Sequence, residues 1–258
     1  MVQFPDCGDM HSRSTSAIFA IFDANTVGRD FAVGDIHGCF SALQAGLDSI
    51  GFDHRVDRLF SVGDLVDRGP ESHQVLTWLD KPWFYAIAGN HDFMTWRSVR
   101  GQPYNAVDHV SHGGAWLGAL KSSDQKEIGE RLAALPLVAE IAAPGGAVGL
   151  VHADCPFDDW ADMRAAPWAQ LHEESPIVDC CLWSFERYKR QYADRIRNIR
   201  AVVHGHMTMP TMKILGNVYF IDTGGGQLGR HFTFLDLHKL KPLLGPAGYL
   251  SHCVCAQR

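Results

Sequence analysis

The amino-acid sequence predicts an α/β fold, because short apolar runs of strand length alternate with segments whose apolar residues recur at helical spacing. Strands are predicted over residues 31–35, 58–62 and 83–88, and a helix over 72–79. The helical spacing between the first two strands is carried by Phe40, Leu43, Leu47 and Ile50. This strand–helix–strand–helix order indicates a parallel sheet.

The second half of the chain predicts a different arrangement. Asp124 and Glu127 resemble a capping box and predict the start of a helix there. Residues 137–143 and 147–151 flank a Pro-Gly-Gly turn, which predicts a hairpin, and residues 157–200 read as helical and polar. Further strands are predicted over 201–203, 212–215, 218–221 and 231–237.

The pattern divides the chain into three parts. Residues 29–240 carry the regular elements, residues 1–28 read as an N-terminal extension, and residues 241–258 read as a peripheral tail. Within the extension, residues 17–22 form an apolar run that is too short to cross a membrane. We interpret this run as a short strand or a packed arm.

The composition is that of an ordinary globular protein, with 46% apolar and 20% charged residues among 258. The formal net charge of −6 argues against a nucleic-acid partner, since such binding depends on a basic face. Seven cysteines without a repeated spacing predict reduced thiols in a cytoplasmic protein. No membrane partner is expected, and nothing in the sequence demands an oligomer.

Five short polar clusters directly follow predicted strands. They are Gly-Asp-Ile-His-Gly at 34–38, Gly-Asp-Leu-Val-Asp-Arg-Gly at 63–69, Gly-Asn-His-Asp at 89–92, Val-His-Ala-Asp at 151–154 and His-Gly-His at 204–206. Loops after parallel strands gather at one edge of the sheet, where open α/β folds bind their ligands. The clusters therefore predict one shared site.

The residue types in these clusters indicate divalent metal ions, because carboxylate, imidazole and amide groups suit hard-to-borderline cations. Asp35 and His37 lie two positions apart and share one face of an extended segment. Asp64 is the best placed carboxylate to bridge two ions. Two such ions can clamp a phosphoryl group, and His91 and Arg68 are the candidates for the proton donor and the phosphate-binding cation.

This ordered set of motifs resembles the calcineurin-like metallophosphoesterase superfamily. Within it, the chain is most similar to the serine/threonine protein phosphatases of bacteria and phage lambda, over residues 31–237. The resemblance implies a β-sandwich flanked by helices on both sides, a four-layer α/β/β/α arrangement with 29–240 as its catalytic domain. It also implies hydrolysis of phosphoserine and phosphothreonine, and a candidate phosphotyrosine activity, by a hydroxide that bridges two metal ions.

The resemblance assigns roles to individual residues. Asp35 and His37 would hold the first metal ion, and Asp64 would bridge. Asn90, His152 and His206 would hold the second. His91 would protonate the leaving group, Asp67 would orient His91, and Arg68 would bind phosphate. The implied ions are two Mn²⁺, with iron or zinc as alternatives, and the implied partner is a phosphoprotein or small phosphoester substrate.

Two positions depart from the protein phosphatases. Asp92 stands where they carry Glu, which resembles the symmetrical diadenosine tetraphosphate hydrolases, whereas Asp67 argues for the protein phosphatases. Phe185 stands where related enzymes often carry a second phosphate-binding arginine. Arg187 is the candidate replacement, and the alternative is that Phe185 packs under the loop while Arg187 faces solvent.

Two other readings of the sequence remain. The segment from Cys7 to Arg13 matches the Cys-x5-Arg spacing of a cysteine phosphatase loop, although Asp9 would repel phosphate there. The second reading is a catalytically dead binding module. Against it, every expected ligand type is present in the motifs.

Overall fold

The computed structural model describes residues 18–102, 109–173 and 175–248. The predicted Cys7–Arg13 loop lies outside these residues. Within them, no helix combines the length and the apolar character that crossing a bilayer requires.

The described residues form strands and helices that alternate along most of the chain. The strands are β1 (Phe19–Phe22), β2 (Asp30–Val33), β3 (Arg58–Ser61), β4 (Phe84–Ala86), β5 (Val138–Ile141), β6 (Val148–Val151), β7 (Ala201–His204), β8 (Lys213–Leu215), β9 (Val218–Phe220), β10 (Thr233–Asp236) and β11 (Lys241–Leu244). The helices are α1 (Phe40–Ser49), α2 (Val75–Leu79), α3 (Asn90–Val99), α4 (Ser122–Ala133), α5 (Trp160–Ala165), α6 (Pro176–Trp183) and α7 (Glu186–Arg190).

One sheet has the strand order β11-β10-β2-β3-β4. Strands β2, β3 and β4 are parallel and are joined through α1 and α2, as the strand–helix alternation predicts. Every residue of β2 and β3 is buried, because helices cover one face and a second sheet covers the other. The parallel pairing brings the ends of β2, β3 and β4 to one edge.

The other sheet has the order β1-β5-β6-β7-β9-β8. Strands β5 and β6 are antiparallel neighbours in this sheet, which confirms the predicted hairpin. Strand β7 runs parallel to β6 and to β9. The ends of β6 and β7 therefore lie side by side, and the polar segments that follow them share one edge.

Among the described residues, three clusters of buried apolar residues lie between four layers of helices and sheets. The first, which includes Phe40, joins the β2–β3–β4 sheet to helices α1 to α4, and the second lies between the two sheets around Phe60 and Leu150. The third, around Trp160, packs α5 and α6 against the outer face of the second sheet. The order helix, sheet, sheet, helix confirms the predicted four-layer α/β/β/α fold.

Three details differ from the sequence predictions. Residues 19–22 form β1, which confirms the predicted short strand, but β1 pairs in parallel with β5 although it lies in the predicted extension. Residues 241–244 of the predicted tail form β11, which pairs with β10. Both predicted boundaries, at 28/29 and 240/241, therefore fall inside the folded unit. The predicted capping box is wrong, since α4 already begins at Ser122 and makes no side-chain cap at its start.

Candidate metal centre

The five polar clusters meet where strands of both sheets end. Asp35 and His37 follow β2, Asp64 follows β3, His152 follows β6 and His206 follows β7. Asn90 and His91 form the first turn of α3. His37, Asp64, Asp67, Arg68 and His206 all have positive φ angles, which residues other than glycine adopt at a cost of about 1–3 kcal/mol each. Such strain is typical of functional sites, where tight turns aim side chains at a common point.

Two groups of side chains have the spacing of metal ligands, and Asp64 belongs to both. One group is His37, Asp64 and His91, and the other is Asp64, His152 and His206, with ligand atoms within 4.8 Å of one another. His37 Nε2 lies 3.6 Å from Asp64 Oδ2, and His152 Nε2 lies 3.5 Å from Asp64 Oδ1. The two oxygens of Asp64 thus face different groups, as a bridging carboxylate requires.

The other predicted ligands complete the two groups. Asp35 Oδ2 lies 3.9 Å from His37 Nε2, on the side of the first group. Asn90 Oδ1 lies 2.9 Å from His152 Nε2 and 3.0 Å from His206 Nδ1, at the centre of the second. The structure therefore brings all six predicted ligands together, with His91 beside them.

The electrostatics of the carboxylates favour bound cations. Burial raises the pKa of the Asp35 carboxyl well above its usual range, and the nearby charges of Asp222 and Asp64 raise it further. Burial also raises the pKa of Asp64, but the neighbouring His152, His91 and His37 outweigh it and leave that pKa below the usual value. Divalent ions would stabilise the charged form of this set of buried acids, so the residues present fit two divalent metal ions.

The histidine side chains of the site also have the properties of metal ligands. Burial lowers the pKa of His37 and His152, and burial together with His152 lowers the pKa of His206 to about 3. A metal-binding histidine must be neutral, and its second nitrogen is usually held by another group. His152 Nδ1 donates to the carbonyl of Val62 at 2.8 Å, and His37 Nδ1 to the carbonyl of Val66 at 3.1 Å. In both residues this leaves Nε2 as the ligand atom.

His91, Asp67 and Arg68 form a connected set beside these ligands. His91 Nδ1 donates to Asp67 Oδ2 at 2.8 Å, and Arg68 Nη2 donates to His91 Nε2 at 2.9 Å. Arg68 Nη1 also donates to His37 Nε2 at 2.8 Å. The Nε2 atoms of both histidines therefore face the Arg68 guanidinium.

The hydrogen bonds of Asp92 explain why this chain can carry aspartate where the protein phosphatases carry glutamate. Its fully buried carboxylate accepts hydrogen bonds from the backbone N–H groups of Leu65 and Gly89, both at 2.9 Å. These contacts join the start of α3 to the turn after β3. An aspartate at this position therefore has a packing role, and it does not by itself indicate a dinucleotide substrate.

Three residues of the site have no predicted role in the sequence analysis. Asp222, which follows β9, is buried and accepts from Thr208 Oγ1 at 2.6 Å, and its charge acts on Asp35. His109 and Trp116 both contact Asp67. The Ile-Asp-Thr-Gly tract at 221–224 contains Asp222, and the His-Gly-Gly tract at 112–114 lies between His109 and Trp116, but neither tract assigns a role to these three residues.

Arg187 lies in a buried network at the start of α7. Its Nη1 donates to the carbonyls of Tyr192 at 3.2 Å and Asp194 at 2.9 Å, and its Nε lies 3.7 Å from Asp154 Oδ1. Asp154 also accepts from the backbone N–H of Arg187 at 3.0 Å. The expected arrangement of a packed Phe185 and a solvent-facing Arg187 is wrong, because Arg187 is buried and the Phe185 side chain is 45% exposed. The contacts of Arg187 favour a structural role over contact with phosphate.

We expect Arg187→Ala to lower the free energy of unfolding by about 3–5 kcal/mol, because it leaves the buried Asp154 carboxylate without its positively charged partner. Urea denaturation of the metal-free protein measures this. The matched control is Arg190→Ala, whose exposed pair with Glu186 is worth only about 0–1 kcal/mol. An unchanged stability with kcat/KM reduced about 10–100-fold would instead support direct phosphate binding by Arg187.

The described cysteines are unsuited to nucleophilic chemistry. Burial raises the pKa of the Cys155 and Cys180 thiols to about 12, and that of Cys181 well above its usual range. A nucleophilic cysteine needs a lowered pKa. These three residues therefore give no support to a cysteine phosphatase.

The four-layer fold and the paired ligand groups fit an enzyme that holds two metal ions. The model of the calcineurin-like phosphoesterase family matches residues 31–210, so the chain belongs to that family and the predicted resemblance is confirmed. It is a phosphoesterase.

Several relatives support this assignment. Serine/threonine-protein phosphatase 2 of Escherichia coli (strain K12) is 31% identical over 82% of this chain and 92% of its own length. The symmetrical bis(5'-nucleosyl)-tetraphosphatase of Pseudomonas fluorescens (strain SBW25) is 31% identical over 60% of this chain and 52% of its own. A protein serine/threonine phosphatase structure from Saccharomyces cerevisiae shares the fold, with a TM-score of 0.59 and 14% identity over 92% of this chain and 85% of its own.

Proposed function

We propose that the protein is a metal-dependent protein phosphatase that removes phosphate from phosphoserine and phosphothreonine. The observation that carries the proposal is the set of His91, Asp67 and Arg68 at the edge of the two ligand groups. It supplies a proton donor and a phosphate-binding cation side by side. The phosphatase relative supports the same substrate class, because its similarity extends over 92% of its own length.

The proposed metal ligands are six residues: the two groups without His91, together with Asp35 and Asn90. Asp35, His37 and Asp64 would hold one ion, and Asp64, Asn90, His152 and His206 the other. When bound, two divalent ions supply positive charge to the phosphate and lower the pKa of water to near neutrality. We propose manganese as the native metal because the family resemblance implies it, with iron or zinc as alternatives, since oxygen and imidazole ligands suit all three.

The protein's own groups would then bind the phosphate and assist departure of the alcohol. Arg68 would donate two hydrogen bonds to phosphate oxygens, a geometry that a planar guanidinium favours. In the structure His91 Nε2 accepts from Arg68 and its Nδ1–H donates to Asp67, so the ring would first take up a proton on Nε2 and then give it to the leaving oxygen, while Nδ1–H stays bonded to Asp67. Asp67 fixes the ring orientation, because its buried carboxylate accepts that bond at 2.8 Å.

A substrate panel on the manganese-loaded protein tests the proposal. It contains peptides with phosphoserine, phosphothreonine and phosphotyrosine, 4-nitrophenyl phosphate, diadenosine tetraphosphate and a cyclic nucleotide. We expect the highest kcat/KM on the phosphoserine and phosphothreonine peptides, and loss of activity with a chelator. Absence of hydrolysis on every substrate would support the binding-module alternative instead.

The second candidate function is a symmetrical diadenosine tetraphosphate hydrolase. The relative of that name favours it, although the similarity covers only 52% of that protein. A kcat/KM on diadenosine tetraphosphate above that on all phosphopeptides would establish this alternative. A cytoplasmic location for either enzyme agrees with the reduced thiols that the sequence predicts.

A further inference from the structure

We infer that His109 and Trp116 are positioning residues: they hold the Asp67 carboxylate, and through it the His91 imidazole, in the orientation that protonation of the leaving group needs. This inference rests on the proposed role of His91 as the proton donor. It concerns residues that lie on a different segment from all the motifs of the site.

The Asp67 carboxylate is the centre of a network of donors. Trp116 Nε1 donates to Oδ1 at 2.7 Å, and His109 Nε2 lies 3.0 Å from both oxygens. His91 Nδ1 donates to Oδ2 at 2.8 Å, and Thr95 Oγ1 donates to Oδ1 at 3.5 Å. Asp67 is fully buried, so these groups replace the water that a charged carboxylate would otherwise bind.

The charge state of Asp67 agrees with this network. Burial raises the pKa of the carboxyl, but the hydrogen bonds from His109 and His91 outweigh it and lower the pKa to about 2. Asp67 is therefore an anion at neutral pH and accepts hydrogen bonds without donating any. An anion with several fixed donors has little freedom to rotate, which in turn fixes the ring of His91.

The backbone at Asp67 explains why additional support is needed. Asp67 and Arg68 have φ angles of 71° and 65°, in the left-handed region that side chains disfavour. The turn that presents both side chains is therefore intrinsically unfavourable. Hydrogen bonds from outside the turn offset this cost and keep one conformation populated.

The segment from His109 to Trp116 packs directly on this turn. The backbone N–H of Arg68 donates to the carbonyl of Gly113 at 3.3 Å. A side chain at Gly113 would place its Cβ 2.6 Å from the Arg68 nitrogen, and one at Gly114 would overlap the His109 ring. The two glycines thus allow the close approach that brings His109 and Trp116 to Asp67.

The two residues are expected to act on kcat more than on KM. A misoriented His91 still leaves the metal ligands and Arg68 in place to bind the phosphate, but it transfers its proton less well. The defect should be greater for a phosphoserine peptide than for 4-nitrophenyl phosphate, because an alkoxide leaving group needs protonation more than a nitrophenolate does. A residue with only a structural role would reduce both rates equally.

The test compares Trp116→Phe, His109→Leu and His109→Gln in the manganese-loaded protein. We expect the first two variants to lower kcat on the phosphoserine peptide by about 10–100-fold, the effect of removing a supporting hydrogen bond to a charged group. The loss on 4-nitrophenyl phosphate should be smaller. His109→Gln should retain most of the activity, since its amide can still donate to Asp67.

Trp168→Phe is the matched control, because its indole N–H donates to the carbonyl of Met163 at 2.9 Å in the third apolar cluster. The ratio of the rates on the two substrates should not change in this variant. An unchanged ratio in both Trp116→Phe and His109→Leu would overturn the inference.

A second measurement does not depend on activity. In the metal-free protein labelled with ¹⁵N-histidine, the Nδ1–H proton of His91 should be protected from solvent exchange by its bond to Asp67. Exchange should be faster in Trp116→Phe and unchanged in Trp168→Phe. Equal protection in all three proteins would contradict the inference. If the wild type hydrolyses no phosphoester, the proposed function fails, while this measurement still decides whether Trp116 positions His91.

Discussion

Asp64→Asn should abolish most of the phosphoesterase activity and reduce the metal content of the purified protein. The carboxylate is fully buried and contributes to both ligand groups, with one oxygen near His37 and the other near His152. Asparagine has the same shape but offers one neutral oxygen, so it cannot bridge two cations as a carboxylate does. The loss should exceed the about 10²–10⁴-fold that one acid–base group contributes, because both ions are affected.

Elemental analysis and kcat/KM on 4-nitrophenyl phosphate measure the two effects. Asp30→Asn is the matched control, since Asp30 is an equally buried carboxylate at the opposite end of β2, where it pairs with Arg58. This control should bind metal and remain active, although it loses stability. Full metal occupancy with near-normal turnover in Asp64→Asn would exclude a bridging role.

Local sequence patterns predicted the elements that determine the site. The alternation of apolar runs and helical spacing identified β2, α1, β3, α2 and β4 in order, because each strand is buried on both faces and each helix has one apolar face. The polar clusters after β2, β3 and β4 then had to meet, since parallel strands end at one edge. The clusters after β6 and β7 belong to the other sheet, so their approach to the same site depends on how the two sheets pack. The ligand roles of the six residues stay a prediction.

The features that the sequence did not predict depend on long-range contacts. Strand β1 is four residues long and pairs with β5, more than a hundred positions away, so local patterns contain no information about its partner. The same holds for His109 and Trp116, whose contacts with Asp67 exist only after the segment folds over the turn. For Arg187, the sequence left open whether it faces phosphate, and its hydrogen bonds to the carbonyls of Tyr192 and Asp194 depend on the path of the chain after α7.

His91→Asn should lower kcat on a phosphoserine peptide by about 10²–10⁴-fold, the range expected for a positioned proton donor. The reason lies in the two hydrogen bonds of the ring. Nδ1 is held by Asp67 at 2.8 Å, so Nε2 is directed towards Arg68 and the site where phosphate would be bound. Asparagine can retain one of these hydrogen bonds but cannot release a proton to the alkoxide.

The loss in His91→Asn should be much smaller on 4-nitrophenyl phosphate, whose leaving group departs without a proton. Metal content should remain near that of the wild type, because the six proposed ligands are untouched; this separates the variant from Asp64→Asn. His54→Asn, a substitution of an exposed histidine in the α1–β3 loop, is the control and should leave both rates unchanged. Equal losses on the alkyl and aryl substrates would show that His91 supports the site by metal binding or packing, and its assignment as the proton donor would then be wrong.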